Sequence, residues 1–414
     1  MSLLQINAQE VLRKSHQLSF QDTALILRMT RQLANVLEAS HKCARISLNG
    51  ASILLGPPDC LVDYETPEFI FESKQVFLAV FEKSRLLSFA LAYVDGQMKI
   101  NGSLEKAVEI LDLLNVQTDR PRSLSERLGS MWFQFCKAFI RRQALKFESS
   151  DHYGTSAQAY ELILDSRMQY TCGRFLTDSA NIEEAQVAKF AFINDLTAKH
   201  GLFLAGKDHL DIGCGWGGMI SHFEEVFQTR SVGNTNSLSQ LEYAKRRFGA
   251  EILYGDFSEL KGVGRKFNLI TIVGMIEHLT PSRRSHLLQV ARSLLHDDGF
   301  IFVQCITKPA IWIGGDAYRF VQREVFPGHF LETPLETERR FRDSGFAVIE
   351  QFDHGHDYGL TTAHWVQNIQ RNQLALTSIV GARQYRVYLG YLLFASRMFS
   401  TGRGSLFRYL LRKV

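Results

Sequence analysis

A glycine-rich turn placed directly after a short apolar strand is the feature that most restricts how this chain can fold. Residues 209–218 read HLDIGCGWGG, so Asp211 is followed by glycine at positions 213, 215, 217 and 218. Glycine adopts positive φ without strain, and it lets a ligand approach the backbone where a Cβ atom would clash. Because an apolar helical pattern begins at Gly218, the stretch predicts a strand, a turn and a helix that together hold a nucleotide-like ligand.

The spacing of these glycines separates two classes of cofactor. A dinucleotide-binding turn reads G-x-G-x-x-G, and an acid that binds ribose hydroxyls follows about twenty residues later. Here the pattern is D-x-G-x-G-x-G-G, and the acid precedes the glycines. A dinucleotide places its pyrophosphate at the helix N-terminus, whereas the amino-acid tail of S-adenosylmethionine needs backbone amides for its carboxylate and acceptors for its ammonium. The motif therefore favours S-adenosylmethionine, with a purely structural turn as the alternative.

The organisation of the chain predicts more than one domain. A length of 414 residues exceeds what one hydrophobic core usually organises. Residues 151–414 alternate short apolar strands with longer helices, which predicts an α/β domain with a mostly parallel sheet covered on both faces. Residues 1–118 have the pattern of a small α+β unit, and residues 119–150 have that of an amphipathic connecting helix.

Composition argues against several classes of protein. The six cysteines have no C-x-x-C spacing, which argues against a disulfide framework and a structural zinc site. The chain shows neither a secretory pattern at its N-terminus nor an apolar run long enough for a membrane span. A net charge of +4 does not by itself indicate nucleic acid. We therefore expect a cytoplasmic protein with no metal site and no nucleic-acid partner. The cysteines are Cys43, Cys60, Cys136, Cys172, Cys214 and Cys305.

Residues 396–414 combine basic and apolar side chains without an acid, as SRMFSTGRGSLFRYLLRKV. Such a segment suits an anionic membrane surface. On this interpretation the protein is peripheral on the inner membrane face, and a homodimer would present two basic tails together. The alternative is that the segment packs on its own domain.

Seven motifs, in order between residues 152 and 365, resemble those of the cyclopropane fatty acid synthase family of S-adenosylmethionine-dependent methyltransferases. They are HYGTSAQAYELILDSRMQYTCGRF (152–175), NIEEAQVAK (181–189), LDIGCGWGG (210–218), NSLSQ (236–240), VGMIEHL (273–279), YRFVQREVFPGH (318–329) and HDYGLTTAHW (356–365). The resemblance implies a Rossmann-like class I methyltransferase domain with a mostly parallel seven-stranded sheet and helices on both faces. Residues 1–118 also resemble the lipid-carrier-like N-terminal domain of many such synthases.

The resemblance implies methyl transfer to the cis double bond of an unsaturated fatty acyl chain, usually in a membrane phospholipid. A carbocation results, and loss of a proton from the incoming methyl group closes a cyclopropane ring. The family's implied base is bicarbonate, held by residues that match Cys172, Glu277, the backbone of Ile306 and Tyr358. At the family's histidine position stands Gln304, which donates a hydrogen bond but cannot titrate. A weakened base would favour a methyl branch or a methylene group over the ring.

The same motifs assign residues to S-adenosylmethionine. Asp256 is placed to accept from the adenine amino group, with a helix N-cap as its alternative role. Tyr170 and Thr171 flank the methionyl part, with Gln186 and Lys189 as support unless Lys189 is a solvated helix residue. The predicted cofactor-binding set is Tyr170, Thr171, Asp211, Gly213, Gly215, Gly217, Thr235, Gln240, Asp256 and Phe257.

Aromatic faces near a carbocation stabilise it through their quadrupoles, and a dry pocket keeps water away from it. The candidates for this lining are Phe175, Tyr318, Phe320, Tyr358 and Trp365.

Two other functions stay open. One is methylation of a soluble metabolite, as by plant-type alkaloid N-methyltransferases that share several motifs. The other is lipid binding by a chain that keeps the fold but has lost catalysis.

Overall fold

The computed structural model describes residues 30–31, 33–48, 51–83, 86–118, 157–309 and 315–414. The predicted connecting helix at 119–150 lies outside these residues. The strands are β1 (Ala44–Leu48), β2 (Ala51–Leu55), β3 (Glu68–Phe71), β4 (Met98–Asn101), β5 (Asp208–Ile212), β6 (Arg230–Thr235), β7 (Ile252–Tyr254), β8 (Phe267–Val273), β9 (Leu295–Thr307), β10 (Phe346–Asp353) and β11 (Ser405–Lys413).

The helices follow the same chain order, and short 3-10 turns lie at Phe257–Gly262 and Ile276–His278. They are α1 (33–39), α2 (Lys74–Lys83), α3 (Leu86–Val94), α4 (Leu104–Thr118), α5 (Ala157–Glu161), α6 (Ile182–Lys199), α7 (Gly218–Phe227), α8 (Leu238–Phe248), α9 (Pro281–Leu294), α10 (Asp316–Phe320), α11 (Pro334–Asp343), α12 (Gly355–Arg371) and α13 (Gln373–Ser400). A π-helical turn follows α10 at Val321–Val325. No helix of the described ranges is both long and apolar enough to cross a bilayer.

The chain divides into two compact units. The first takes Met1–Gln134, Ile313–Val325 and Ala382–Phe394, and the second takes Phe135–Trp312, Phe326–Gly381 and Ala395–Val414. Ile313–Val325 and Ala382–Phe394 thus belong to the first unit although they come late in the chain. The domain ranges expected from the sequence are continuous and do not assign these segments to the first unit. The boundary inside α13 coincides with Gly381, whose φ of +80° and ψ of 157° interrupt the helix.

The first unit is a four-stranded sheet, ordered β2-β1-β3-β4, with helices packed on it. Its core includes the tilted and edge-on rings of Phe71, Phe77, Phe81 and Phe89. A turn precedes β4, where Gly96 has a φ of +78°. The next helix is capped by Ser103, whose hydroxyl accepts the Lys106 amide at 3.2 Å.

One expectation about the cysteines is wrong. Cys43 and Cys60 form a disulfide in the first unit. They meet because the antiparallel register of β1 and β2 pairs Ala44 with Leu55 and so brings the flanking segments together. No C-x-x-C spacing signals such a pair, since the hairpin and not the sequence interval makes it. Cys172, Cys214 and Cys305 are free and buried.

The second unit contains a seven-stranded sheet in the order β10-β11-β9-β8-β5-β6-β7. Strands β5 to β9 are all parallel to one another, and β11 is antiparallel to both β9 and β10. Side chains alternate between faces along a strand, so Ile270 and Ile272 join one core cluster while Leu269 and Val273 join another. The predicted doubly covered, mostly parallel class I methyltransferase fold is confirmed.

The interpretation of the C-terminal residues as a basic membrane-binding tail is wrong. Residues 405–413 form β11, which lies between β9 and β10. Leu406 is 2% exposed, and Arg408, Tyr409 and Leu410 are fully buried. A strand with two neighbours and both faces covered has no free amphipathic surface, so the alternative of packing on its own domain is correct. The argument for a dimer that presents two tails thereby loses its basis.

Candidate active site

The glycine turn lies at the carboxyl end of β5. The Gly213 and Cys214 amides donate to the Asn234 carbonyl at 2.9 and 3.0 Å, which fixes the turn against β6. Gly213, Gly215 and Gly217 have φ values of +80°, +54° and +85°. All three therefore require the left-handed conformation that favours glycine.

The glycines of the turn serve two different purposes. A Cβ atom on Gly217 would lie 2.7 Å from the Ala244 Cβ atom, and one on Gly213 would lie 2.7 Å from the Met275 Cγ atom. These two positions are glycine because the protein packs against them. A Cβ atom on Gly215 would meet no atom within 4 Å. That open space beside left-handed backbone is a cradle that a ligand can fill.

Asp211 is held by a chain of polar side chains. Its Oδ1 accepts from the Thr271 hydroxyl at 2.7 Å, and Thr271 Oγ1 lies 2.9 Å from His209 Nε2. Because the Thr271 proton is given to Asp211, His209 Nε2 donates to Thr271 and Nδ1 accepts from Ser231 at 2.9 Å. Burial lowers the pKa of His209 to about 3 and raises the pKa of Asp211 to about 6. The imidazole is therefore neutral, and the hydrogen bond from Thr271 lowers the Asp211 pKa against the effect of burial.

The residues predicted to hold ribose and adenine lie at the ends of β6 and β7. The Thr235 hydroxyl donates to Gln240 Oε1 at 2.8 Å, and both side chains are buried. Asp256 caps the Phe257–Gly262 turn, with Oδ1 accepting from the Ser258 amide at 3.0 Å. Its Oδ2 pairs with Arg283. Asp256 thus has the capping role foreseen as its alternative, and its contact with adenine stays a prediction.

Two buried polar residues of α6 donate hydrogen bonds to the segment that contains Thr171. Lys189 Nζ donates to the Thr171 hydroxyl at 2.8 Å and to Gln169 Oε1 at 3.2 Å, while Gln186 Nε2 donates to the Thr171 carbonyl at 2.8 Å. Lys189 is fully buried, so its interpretation as a solvated residue is wrong. Burial lowers the Lys189 pKa to about 7, and the nearby Asp165 opposes this shift.

Several aromatic rings come together in the second unit. The ring centroid of Tyr170 lies 5.0 Å from that of Trp365, and Tyr358 lies 6.2 Å from Trp365 and 4.6 Å from Phe399. Trp216, from the glycine turn, continues the cluster through Tyr160. Of the other candidates, Phe175 stacks on His364. Tyr318 and Phe320 belong to the first unit.

Glu277 is a buried carboxylate at the carboxyl end of β8. Its Oε1 accepts the Ile306 amide at 3.2 Å, and its Oε2 has no hydrogen-bond partner among the described residues. Burial raises the Glu277 pKa, and the nearby Arg284 lowers it by less. Since Arg284 is itself paired with Glu332 at 2.9 Å, Glu277 has no dedicated cation. A buried oxygen of this kind needs a polar ligand.

Gln304 is joined to Cys172 by an arginine that the motif analysis did not assign to the site. Arg408 Nε donates to Gln304 Oε1 at 2.8 Å, and Arg408 Nη2 lies 3.8 Å from Cys172 Sγ. Burial raises the Cys172 pKa to about 12, so this thiol is neutral. Residues 406–411, LFRYLL, form an apolar run of the kind that is typical of a buried strand, and this run is the signal in the sequence for β11. It does not indicate which strand Arg408 faces.

His354 and His356, which are two positions apart in the sequence, make different contacts. His356 Nε2 lies 3.1 Å from Asp178 in an exposed pair, and His354 precedes α12 with its ring stacked on Phe352. Within the ranges that the structure covers, no group of three metal-ligating side chains occurs.

The arrangement fits S-adenosylmethionine. The open backbone at Gly215 offers a cradle, and Asp211 places a carboxylate before it. Gln240, at the start of α8, and the Tyr170–Thr171 segment are further members of the predicted cofactor-binding set. The contacts of the cofactor with these residues stay predictions.

Comparisons with known proteins agree with this geometry. The sequence pattern of the mycolic acid cyclopropane synthetase family matches residues 141–409. A probable fatty acid methyltransferase of Pseudomonas putida is 25% identical over 388 residues, covering 90% of this chain and 93% of the relative. The cyclopropane mycolic acid synthase MmaA2 of Mycobacterium tuberculosis is 26% identical over 267 residues, covering 61% of this chain and 91% of the relative.

The solved structure of MmaA2 from Mycobacterium tuberculosis superposes with a TM-score of 0.58. The match covers 64% of this chain and 96% of that chain at 24% identity. At this identity the likeness shows the fold alone.

Proposed function

This chain belongs to the mycolic acid cyclopropane synthetase family and is an S-adenosylmethionine-dependent methyltransferase, and from that premise we propose its reaction. It methylates the cis double bond of an unsaturated fatty acyl chain in a phospholipid and closes a cyclopropane ring. When bound, S-adenosylmethionine supplies an electrophilic methyl group. The alkene electron pair would form the new carbon–carbon bond while the methyl–sulfur bond breaks and its electron pair stays on sulfur. A base would then take a proton from the added methyl group, and the C–H electron pair would close the ring.

The observation that carries the proposal is the buried, unpartnered Oε2 atom of Glu277. A carboxylate with a raised pKa and no dedicated cation is suited to receive a proton or to orient a base that does so. Gln304 adds a second enclosed atom, because its Nε2 has no hydrogen-bond partner in the described part of the chain. Gln304 stands two residues before Ile306 on β9, and the Ile306 amide donates to Glu277 Oε1, so an acceptor and a donor are both available near the carboxyl end of β9.

These two atoms fit bicarbonate, which carries both a hydroxyl donor and oxygen acceptors. Glu277 Oε2 would accept from its hydroxyl, and Gln304 Nε2 would donate to its charged oxygens. The Ile306 amide, a further predicted ligand, already donates to Glu277 Oε1 at 3.2 Å. When bound, bicarbonate would supply the base for proton removal. On this view Ile306 positions Glu277, and the anion depends on the two side chains.

The aromatic cluster supports the carbocation. The Trp365 ring packs against both Tyr358 and Tyr170, and Trp365 is 1% exposed. Ring faces attract positive charge, and a dry surrounding prevents water from capturing the cation. Tyr358 stands one residue after Asp357 on α12, so one helix carries both an aromatic face and an acid into this region.

We place the substrate in a membrane and infer that the protein contacts the bilayer peripherally. The C-terminal residues do not support this membrane contact, because they form β11. The support comes from a loop of the first unit that exposes apolar side chains, where Leu61 is 91% exposed and Tyr64 is 89% exposed. Adjacent exposed apolar residues of this kind are typical of surfaces that meet lipid or protein.

The deciding experiment incubates the purified chain and S-adenosylmethionine with vesicles of unsaturated or fully saturated phospholipid. We expect the unsaturated acyl chains alone to gain the mass of one CH2 group, and gas chromatography against a cyclopropane standard to identify a ring. Glu277→Gln keeps an oxygen for the Ile306 amide but should lower the rate about 100-fold or more. Glu242→Gln, on the exposed surface of α8, is the matched control. Methylation of a soluble amine with no change in any lipid would contradict the proposal.

A further inference from the structure

Arg408 presents a guanidinium group whose donors are unequally used. Nε donates to Gln304 Oε1 at 2.8 Å, and Nη2 donates to the Gly173 carbonyl at 2.7 Å. Nη1 forms no hydrogen bond to any described residue, and it lies 3.8 Å from Asp357 Oδ2. One side of this fully buried cation is therefore held rigidly by neutral acceptors, and the other side is only loosely paired.

The surroundings do not neutralise the Arg408 charge. The facing groups are Cys172, Asp357, Arg174, Lys189 and His354. The Cys172 thiol is neutral, and Asp357 is a carboxylate whose pKa is itself raised by burial. Arg174 adds positive charge, and so does Lys189 when protonated. Because a buried charge is costly unless it is paired, the region favours an added anion.

The arginine also fixes which way the Gln304 amide points. A guanidinium group only donates hydrogen bonds, so the amide atom facing Arg408 must be the oxygen. The two residues are directly opposite each other in the register of β9 and β11, which places both side chains on the same face of the sheet. The Gln304 Nε2 atom is consequently turned away from Arg408, enclosed and without a partner among the residues described.

We propose that Arg408 is a positioning residue for the methyltransfer site: it locks the Gln304 amide with Nε2 as the outward donor, and it supplies a permanent positive charge behind that donor. The two residues act together on a negatively charged group bound in front of Gln304. This inference rests on the proposed function, because the anion serves the proton removal that follows methyl transfer. Arg408 is the residue that places a positive charge next to the neutral Gln304 side chain.

Gln304→Glu provides the sharpest test. The glutamate retains an oxygen for Arg408 Nε, so the buried contact survives and the protein should stay folded, which thermal unfolding checks. It loses the Nε2 donor and cancels the Arg408 charge. We expect kcat on unsaturated phospholipid vesicles to fall about 10- to 100-fold, with the KM for lipid and the dissociation constant for S-adenosylmethionine unchanged. A folded Gln304→Glu enzyme with the kcat of the wild type would overturn the proposal.

Arg408→Lys tests the other partner. Lysine keeps the charge but lacks the fork that holds the amide, so kcat should again fall by about tenfold or more, and the Gln304→Glu/Arg408→Lys double variant should lose little beyond either single change. Arg412→Lys, exposed on the same strand, is the control and should retain full activity. Independent, additive losses in the double variant would show that the residues do not act together. If the wild type itself modifies no lipid, the proposed function fails instead, and that result is distinct from either outcome.

Discussion

At the scale of single residues, the site depends on buried carboxyl groups, and burial destabilises their ionised form. Asp211 is 3% exposed and is balanced between burial, which raises its pKa to about 6, and the Thr271 hydroxyl, which lowers it. The ammonium of S-adenosylmethionine favours a carboxylate over a carboxylic acid as its acceptor. Cofactor binding should therefore report directly on the ionisation of Asp211.

We expect the affinity for S-adenosylmethionine to weaken as the pH falls below about 6, because the acid that must be ionised becomes protonated. Well below that pKa the loss approaches tenfold per pH unit. Thr271→Val removes the hydrogen bond that lowers the Asp211 pKa, so the midpoint should move to higher pH. Titration calorimetry from about pH 5 to about pH 7 measures both midpoints.

Asp208→Asn is the control for this titration. Asp208 begins the same strand, but its carboxylate pairs with Arg230 and Arg265, which lower its pKa. It should leave the midpoint of cofactor binding in place. Equal midpoints for the wild type and Thr271→Val would show that Asp211 does not control binding.

Residue identities in the site were predictable to different degrees. Glu277, Cys172 and the glycines could be named because their motifs are local in sequence. Arg408 could not, because its role depends on β11 inserting beside β9, a pairing between segments about a hundred residues apart. Local periodicity carries no information about such long-range pairing. The disulfide between Cys43 and Cys60 escaped for the same reason, since a hairpin register creates it.

At the scale of elements, two glycines of the same short turn have different functions: one is needed for packing, and the other leaves space for a ligand. Gly217 is required by the contact with Ala244, whereas Gly215 faces open space. The two glycines look equivalent in the sequence, and only their surroundings distinguish them. This part of the fold was predicted correctly as a whole, because a buried strand followed by glycines restricts the backbone strongly.

Gly215→Ala should weaken S-adenosylmethionine binding by at least about tenfold, because the new Cβ atom would occupy the cradle. The left-handed backbone also predicts a loss of about 1 kcal/mol in the free energy of unfolding. Gly206→Ala carries the same backbone penalty at a φ of +70° and also meets no atom within 4 Å, but it lies before β5 and away from the turn. We expect it to bind the cofactor normally. Equal affinities for both variants, measured by calorimetry beside chemical unfolding, would exclude a ligand cradle at Gly215.

At the scale of the whole molecule, the two units carry different predicted tasks. The second unit contains every residue of the proposed chemistry, and the first exposes a loop with Leu61, Val62 and Tyr64. The charge of +4 is spread over both units and does not mark a membrane-binding segment. We therefore expect the proposed membrane contact to depend on exposed apolar groups.

The double variant Leu61→Ser/Tyr64→Ser should lower binding to phospholipid vesicles by about 30-fold or more, because each exposed side chain contributes roughly 1–2 kcal/mol on entering the interface. Co-sedimentation with vesicles measures this effect, and S-adenosylmethionine binding should not change. Leu374→Ser removes a residue that is 87% exposed on α13 but stands apart from that loop, and it is the matched control. Undiminished sedimentation of the double variant would place the lipid contact elsewhere.

The insertion of β11 between β9 and β10 has a consequence for biosynthesis. Both flanking strands leave the ribosome before residues 405–413 do, so the growing chain holds a gap in its sheet until its partner strand emerges. Arg408 arrives with that strand. On the role proposed for Arg408, a nascent polypeptide that already contains the glycine turn would still lack the cation behind Gln304 and would not complete the chemistry.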